Sequence, residues 1–275
     1  MTAEPRDPLQ RRTLGTLATT QILGGMGLAA GIAVGSLIAE DITGSPTYAG
    51  LGGTFQVLGS ALIAIPVARV MAARGRRPGL VLGYALALAG AVLIITSAVI
   101  SNFALLLLGS VMFGGATTSN SQTRFAAADL ATPEHRGRDL SIVVWATTIG
   151  SVLGPNLVGP GQPVADALGL PLLAGPFVFS LGALALAVVV LIVRLRPDPL
   201  ILSRERERER ERQREHEAAT IAGGGTLDPP QPSRHGGIRQ GLADIRTHPV
   251  ALLGLVTLAL GHATMVSMMV MTPLH

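Results

Sequence analysis

Six stretches of this chain contain no aspartate, glutamate, lysine or arginine: Thr13–Ala39, Ile42–Ala68, Pro78–Thr123, Leu140–Ala165, Ala167–Val193 and Pro249–His275. Together they hold 180 of the 275 residues. A soluble domain cannot hide so much uncharged chain, whereas a membrane span needs only about 20 predominantly apolar residues. The chain therefore reads as an all-α, polytopic membrane helix bundle. The 46 residues of Pro78–Thr123 are too long for one span and suit two, with the turn at Ser101-Asn102. Seven spans result, at about 13–39, 47–71, 79–100, 103–128, 140–159, 171–193 and 249–271. Pro46, Pro78, Pro171 and Pro249 stand where helices should begin, which suits proline's fixed φ and missing N–H.

Charge sets the orientation. All 21 basic residues are arginine. They precede span 1 (Arg6, Arg11, Arg12), join spans 2 and 3 (Arg74, Arg76, Arg77), join spans 4 and 5 (Arg136, Arg138) and follow span 6 from Arg194. The alternate loops hold Glu40, Asp41 and Asp166 and no arginine. The positive-inside rule then places the N-terminus and every arginine-bearing loop in the cytoplasm. Residues 1–12 are thus a cytoplasmic N-terminus, 13–193 a six-span bundle, 194–248 a cytoplasmic linker and 249–275 a seventh span. The chain is expected to end prematurely after that span.

Within the linker, Ser203–Glu217 alternates six arginines with six glutamates. Its zero net charge argues against nucleic acid and for a solvated segment. Opposite charges fall at i, i+3 but like charges at i, i+4, so any helix there is weakly favoured. Gly223-Gly224-Gly225 and Pro229-Pro230 continue it as flexible chain.

Several chemistries are excluded. The chain has no cysteine, hence no disulfide or thiolate site. It has no nucleophile-elbow motif, and without lysine it cannot complete a phosphate-binding P-loop. No enzyme, no cofactor and no metal site is expected.

The polar residues are unevenly spread over the spans. Span 1 carries Thr16, Thr19, Thr20 and Gln21, span 4 carries Thr117 through Arg124, and span 7 carries His262, Thr264 and Ser267. Spans 3 and 6 are almost wholly apolar and are expected to face lipid, with Tyr84 and Ser180 as isolated polar groups. Polar groups at membrane depth should face a bundle interior or a wet cavity. The cavity candidates are therefore Gln21, Thr117, Asn120, Arg124 and His262. Arg124 has two readings: a cavity arginine for an anion or carboxylate, or a snorkelling arginine paired with Asp129. The polar spans 1, 4 and 7 repeat every three, as repeated three-helix units would. Gly27, Gly31 and Gly35 on span 1, and Gly150, Gly154 and Gly159 on span 5, mark close helix packing.

Three motifs resemble those of the major facilitator superfamily. Ala68-Arg-Val-Met-Ala-Ala-Arg74-Gly75-Arg76-Arg77 resembles G-x-x-x-D-R-x-G-R-R, with Gly75, Arg76 and Arg77 matching and Ala72-Ala73 in place of Asp-Arg. Gly150-x-x-x-Gly154-Pro155-x-x-x-Gly159 is similar to the span 5 antiporter motif, its end displaced by one residue. Pro133-Glu134-His135-Arg136-Gly137-Arg138 resembles P-x-x-R-G-R between spans 4 and 5. The family's span 4 arginine falls on Ser110. The resemblance implies a six-helix half of two three-helix repeats plus the first helix of the second half. It further implies a bacterial inner-membrane transporter that works by alternating access. Its partners would be the lipid bilayer, a small-molecule substrate, a coupling proton and the missing carboxy-terminal half. The span 5 motif would make it an efflux protein. The alternative is a non-transporting seven-span scaffold that docks a partner through its charged linker.

Overall fold

A computed structural model describes residues 8–131 and 135–221, with a few isolated positions between 253 and 261. Eight α-helices follow in order: α1 (Pro8–Thr43), α2 (Ala49–Arg74), α3 (Arg76–Ile100), α4 (Phe103–Ala128), α5 (Arg136–Leu153), α6 (Val158–Leu168), α7 (Gly175–Arg194) and α8 (Pro199–Ile221). Short 3-10 turns begin at Pro46, Pro155 and Leu172. Among the described residues there is no strand, and six stretches are long and apolar enough to cross a membrane. The seventh expected span, with His262, lies outside the described residues.

The helix ends follow local chemistry. Gly44 leaves α1 at φ +65°, a left-handed conformation that glycine adopts without a Cβ clash, and its N–H donates to Glu40 O at 2.8 Å. The turn between α3 and α4 falls at Ser101-Asn102, where the Asn102 side chain accepts from Leu105 N at 3.0 Å and caps α4. One expectation needs correction. The fifth span does not stop near 159 but runs on to Leu168 as two helices, α5 and α6. Pro155 has no N–H to continue the helix, so the chain tightens into a 3-10 turn there. The Asn156 side chain donates to Val152 O at 2.6 Å across the break. The Arg/Glu run is helical, α8 covering it as far as Ile221. Arginine, glutamate and glutamine are all good helix formers, and Asp198 followed by Pro199 supplies a strong start.

Residues 1–207 form one compact unit and residues 208–275 a second, with α8 running from the first into the second. In the first unit, α1 packs on α5 and α7, and α4 packs on α2 and α3. The first helix of each three-span repeat thus grips the second and third spans of the other repeat. The spans meet through glycine. A Cβ on Gly90 of α3 would lie 2.5 Å from Phe113 N and 2.6 Å from Gly109 O of α4. A Cβ on Gly150 of α5 would lie 2.5 Å from Ile22 O of α1. Where backbones approach so closely, dispersion and weak C–H···O contacts replace the hydrophobic drive that lipid does not provide. The core fills around Tyr84, Phe113 and Phe177, the two phenylalanines meeting edge to face at 5.7 Å.

Candidate functional site

Most polar side chains of the spans satisfy backbone carbonyls. Thr16, Thr19 and Thr20 of α1 each donate to the carbonyl one turn earlier. On α4, Ser110 does the same to Leu106 O, and Thr123 to Ser119 O. Others hold helices together. Thr118 Oγ1 donates to Ser60 O of α2 at 2.8 Å, and Ser119 Oγ to Leu80 O of α3 at 3.1 Å. Within a helix bundle surrounded by lipid tails, such groups have no water to turn to and take whichever acceptor is near.

Two of the cavity candidates remain incompletely satisfied. Gln21 is fully buried on α1. Its Nε2 donates to Thr147 Oγ1 of α5 at 2.8 Å, and its Oε1 has no partner. Arg124 is half-buried near the end of α4, and its Nε is buried without a partner. The pairing of Arg124 with Asp129 does not occur, because Asp129 is taken by Arg76. Thr117 is half-buried on α4. Asn120 is buried and accepts a 2.7 Å hydrogen bond from the Tyr84 hydroxyl of α3.

Tyr84 and Ser180 overturn the expectation for spans 3 and 6. Both are fully buried, and neither faces lipid. Ser180 Oγ donates to Gly27 O of α1 at 2.8 Å, at a place where a Cβ on Gly27 would lie 3.2 Å from Ser180 O. Tyr84 and Asn120 close over Gly24 of α1, whose Cβ would come within 2.6 Å of both side chains. Sequence reasoning missed them by applying the cost of lipid exposure to clusters of polar residues and not to single ones. A lone tyrosine hydroxyl at membrane depth needs a partner as much as a run of threonines does.

The arginine-bearing end holds the second group of functional candidates. Gly75 adopts φ +99°, so only glycine fits without strain, and its Cβ position lies 2.5 Å from the Asp198 carboxylate. Arg76 makes a two-pronged contact with Asp129, Nε to Oδ2 at 2.8 Å and Nη2 to Oδ1 at 3.1 Å, and a third bond to Gln122 Oε1 at 3.2 Å. The pair is largely shielded, at 17% and 12% exposure, and the planar guanidinium matches the carboxylate fork. Arg76 thus ties the start of α3 to the end of α4. Arg76 N–H and Arg77 N–H donate to the two oxygens of Asp198 at 3.0 and 2.7 Å. The same carboxylate accepts from Leu200 N at 3.0 Å, so one side chain caps both α3 and α8. Asp198 was legible in principle, since an Asp directly before a proline is a helix-start signal.

Of the span 5 motif, Gly150 and Gly154 press against α1, while Pro155 ends α5. Gly159 has open space around it. Gln10 adds a pin at the arginine-bearing end: its Nε2 donates to Asp139 Oδ2 at 2.7 Å and to Ala127 O at 3.2 Å, joining α1, α5 and α4. Among the described residues no group of three or more His, Asp or Glu side chains could hold a metal ion.

Comparison with known proteins adds the following. The family model described as Major Facilitator Superfamily matches residues 17–275. Two Bacillus subtilis proteins, the uncharacterized MFS-type transporters YddS and YdeG, are each 40% identical to the chain, over 177 and 180 residues. Those alignments cover 64% and 66% of this chain and 41% and 42% of the relatives. The riboflavin transporter RfnT of Brucella anthropi is 29% identical over 178 residues, 64% of this chain and 44% of its own length. The chain thus spans less than half the length of the curated relatives it matches. No solved structure matches it significantly.

Proposed function

The chain belongs to the major facilitator superfamily, and from that premise we propose that its six-span unit is the amino-terminal half of a secondary transporter for a small organic solute. The observation that carries this reading is the pairing of a polar, incompletely satisfied interior with bare apolar faces on α2 and α5. Leu58 and Leu62 of α2 and Trp145 and Val152 of α5 are more than half exposed. A second six-span unit would cover these faces and close a cavity over α1 and α4. Alternating access then follows from two halves rocking about a site near the midplane.

Gln21, Thr117, Asn120 and Arg124 are the proposed cavity residues. A buried donor without a partner is rare, so the free Nε of Arg124 supports an acceptor-bearing or anionic group on the solute. The riboflavin named in one relative is a planar solute rich in acceptors, and it is the first compound to test. The proposal includes outward transport, on the span 5 motif, and a coupling proton. His262 is the proposed proton group, since an unperturbed histidine changes charge near neutral pH. The protein sits in the bacterial inner membrane with its N-terminus and Arg/Glu segment in the cytoplasm.

Two measurements test the reading. Gradient-driven flux is compared in vesicles that hold the 275-residue chain alone and in vesicles that hold it with a second six-span half. Flux only in the second case is expected; saturable uptake by the chain alone would overturn the two-half reading. Because the chain has no cysteine, single cysteines at Gly44, Asp166 and Arg138 report orientation directly. The first two should label from outside intact cells and the third should not.

A further inference from the structure

A cavity of about 680 Å³ opens where the loop between α2 and α3 meets the end of α7 and the start of α8. Its wall carries three arginines, Arg74, Arg77 and Arg196, and an apolar floor that includes Val81, Ile192 and Ile201. Asp198 also lines it, but that carboxylate is already engaged by the N–H groups of Arg76, Arg77 and Leu200. Among the described residues, none of the three guanidinium groups has a hydrogen-bond or ion-pair partner, so three cations face a space that holds a single carboxylate. This cluster is separate from the Arg76–Asp129 contact and from the proposed solute cavity on α1 and α4.

We propose that this groove binds an anionic phospholipid of the cytoplasmic leaflet. Its phosphate would sit among Arg74, Arg77 and Arg196, and an acyl chain would lie along the outer faces of α3 and α7. Two observations select a lipid over a soluble anion. The floor beneath the arginines is apolar, with Ile192 38% and Ile201 43% exposed. Further along the same two helices Val92 of α3 and Val189 of α7 are 48% and 53% exposed and offer an acyl chain an apolar track. A soluble phosphate would leave that track bare, whereas a phospholipid fills both parts. Basic pockets between spans on the cytoplasmic side recognise headgroups in this way. The seam it would bridge is the one that Asp198 caps, so a bound lipid would brace α3 against α8. The inference rests on membrane insertion and the orientation proposed above, and not on transport.

The test is native mass spectrometry of the full 275-residue chain in detergent, titrated with phosphatidylglycerol, phosphatidylcholine or inorganic phosphate. Phosphatidylglycerol should bind at least tenfold more tightly than phosphatidylcholine. Each arginine should contribute roughly a fivefold factor, so R74Q/R77Q/R196Q should lose roughly a hundredfold. The single variant R196Q lies outside every helix and guards against a folding defect; it alone should show the fivefold loss. Arg138→Gln, exposed on α5 and away from the groove, should bind as wild type. Equal affinity for the two lipids, or full retention by the triple variant, overturns the site. Displacement of the lipid by inorganic phosphate at comparable concentration overturns the lipid assignment in favour of a soluble anion. Failure of flux with an intact lipid preference would count against the transport reading alone.

Discussion

Spans 3 and 6 carry hardly any polar side chains, and spans 2 and 5 carry few more, yet the two pairs are buried to different depths. In their most apolar stretches α3 is 44% buried and the span containing α7 is 39% buried, against 22% each for the spans of α2 and α5. The deeper pair is also the more apolar one, but apolarity is not the cause. In lipid, apolarity does not drive a helix inward, because the surroundings are equally apolar. What differs is how the small residues are used. Gly83 and Gly90 bring α3 onto the backbone of α4, Gly27 of α1 receives α7, and Gly31 takes the rings of Phe113 and Phe177. On α2 and α5 the tightest glycine contacts go to one helix each, Gly59 against α4 and Gly150 against α1. The opposite faces of α2 and α5 carry large exposed side chains.

The contrast can be broken most decisively at Gly90. Gly90→Leu should destabilise the bundle by at least about 3 kcal/mol, since its side chain would enter the α4 backbone. Leu62→Asn, on the bare face of α2, should change the stability of the isolated chain by no more than about 0.5 kcal/mol. Thermal unfolding in detergent measures both. Equal losses would mean that α2 is as deeply packed as α3.

At the arginine-bearing end, Asp129→Asn should cost about 2 kcal/mol, because Arg76 would lose a two-pronged, charge-assisted contact in a shielded site. A double-mutant cycle with Arg76→Gln should return most of that as coupling energy. Full additivity would show that the pair contributes nothing.

Smaller still is Tyr84→Phe, expected at about 1 kcal/mol from the lost hydrogen bond to Asn120. The double variant with Asn120→Ala should be less damaging than the two singles combined, as befits one shared bond. Ser180→Ala should cost less than Tyr84→Phe, about 0.5 kcal/mol, because the hydroxyl's main acceptor, Gly27 O, lies on a helix backbone. If Ser180→Ala exceeds Tyr84→Phe, the α1–α7 seam depends on that bond more than on its glycines.

The helical class, the number of the first six spans and the Ser101-Asn102 turn were legible because each rests on a local signal, namely absence of charge or a turn residue. Which face of a span turns inward was not, because that depends on the neighbour. Tyr84 looks isolated in α3 until Asn120 arrives from α4, and Ser180 until Gly27 arrives from α1. The same applies to Asp129, five residues from Arg124 in sequence and yet bound to Arg76. Side-chain pairing alone makes the alternating charge of α8 a poor helix signal. Its helix propensity and its start at Asp198-Pro199 carried more weight.

The Asp198 carboxylate also imposes an order in time. It lies 122 residues after Arg76, whose N–H it accepts. At synthesis rates of roughly 5–20 residues per second, the start of α3 emerges roughly 6–24 s before its cap exists. During that interval spans 3 to 6 are made while the first amides of α3 lack the carboxylate that caps them. Completion of α7 and the arrival of Asp198 then end the wait for α3 and start α8 in a single event. The first unit of the chain is therefore finished at its far end by a residue made after all six of its spans, and the segment that follows cannot begin its helix any earlier.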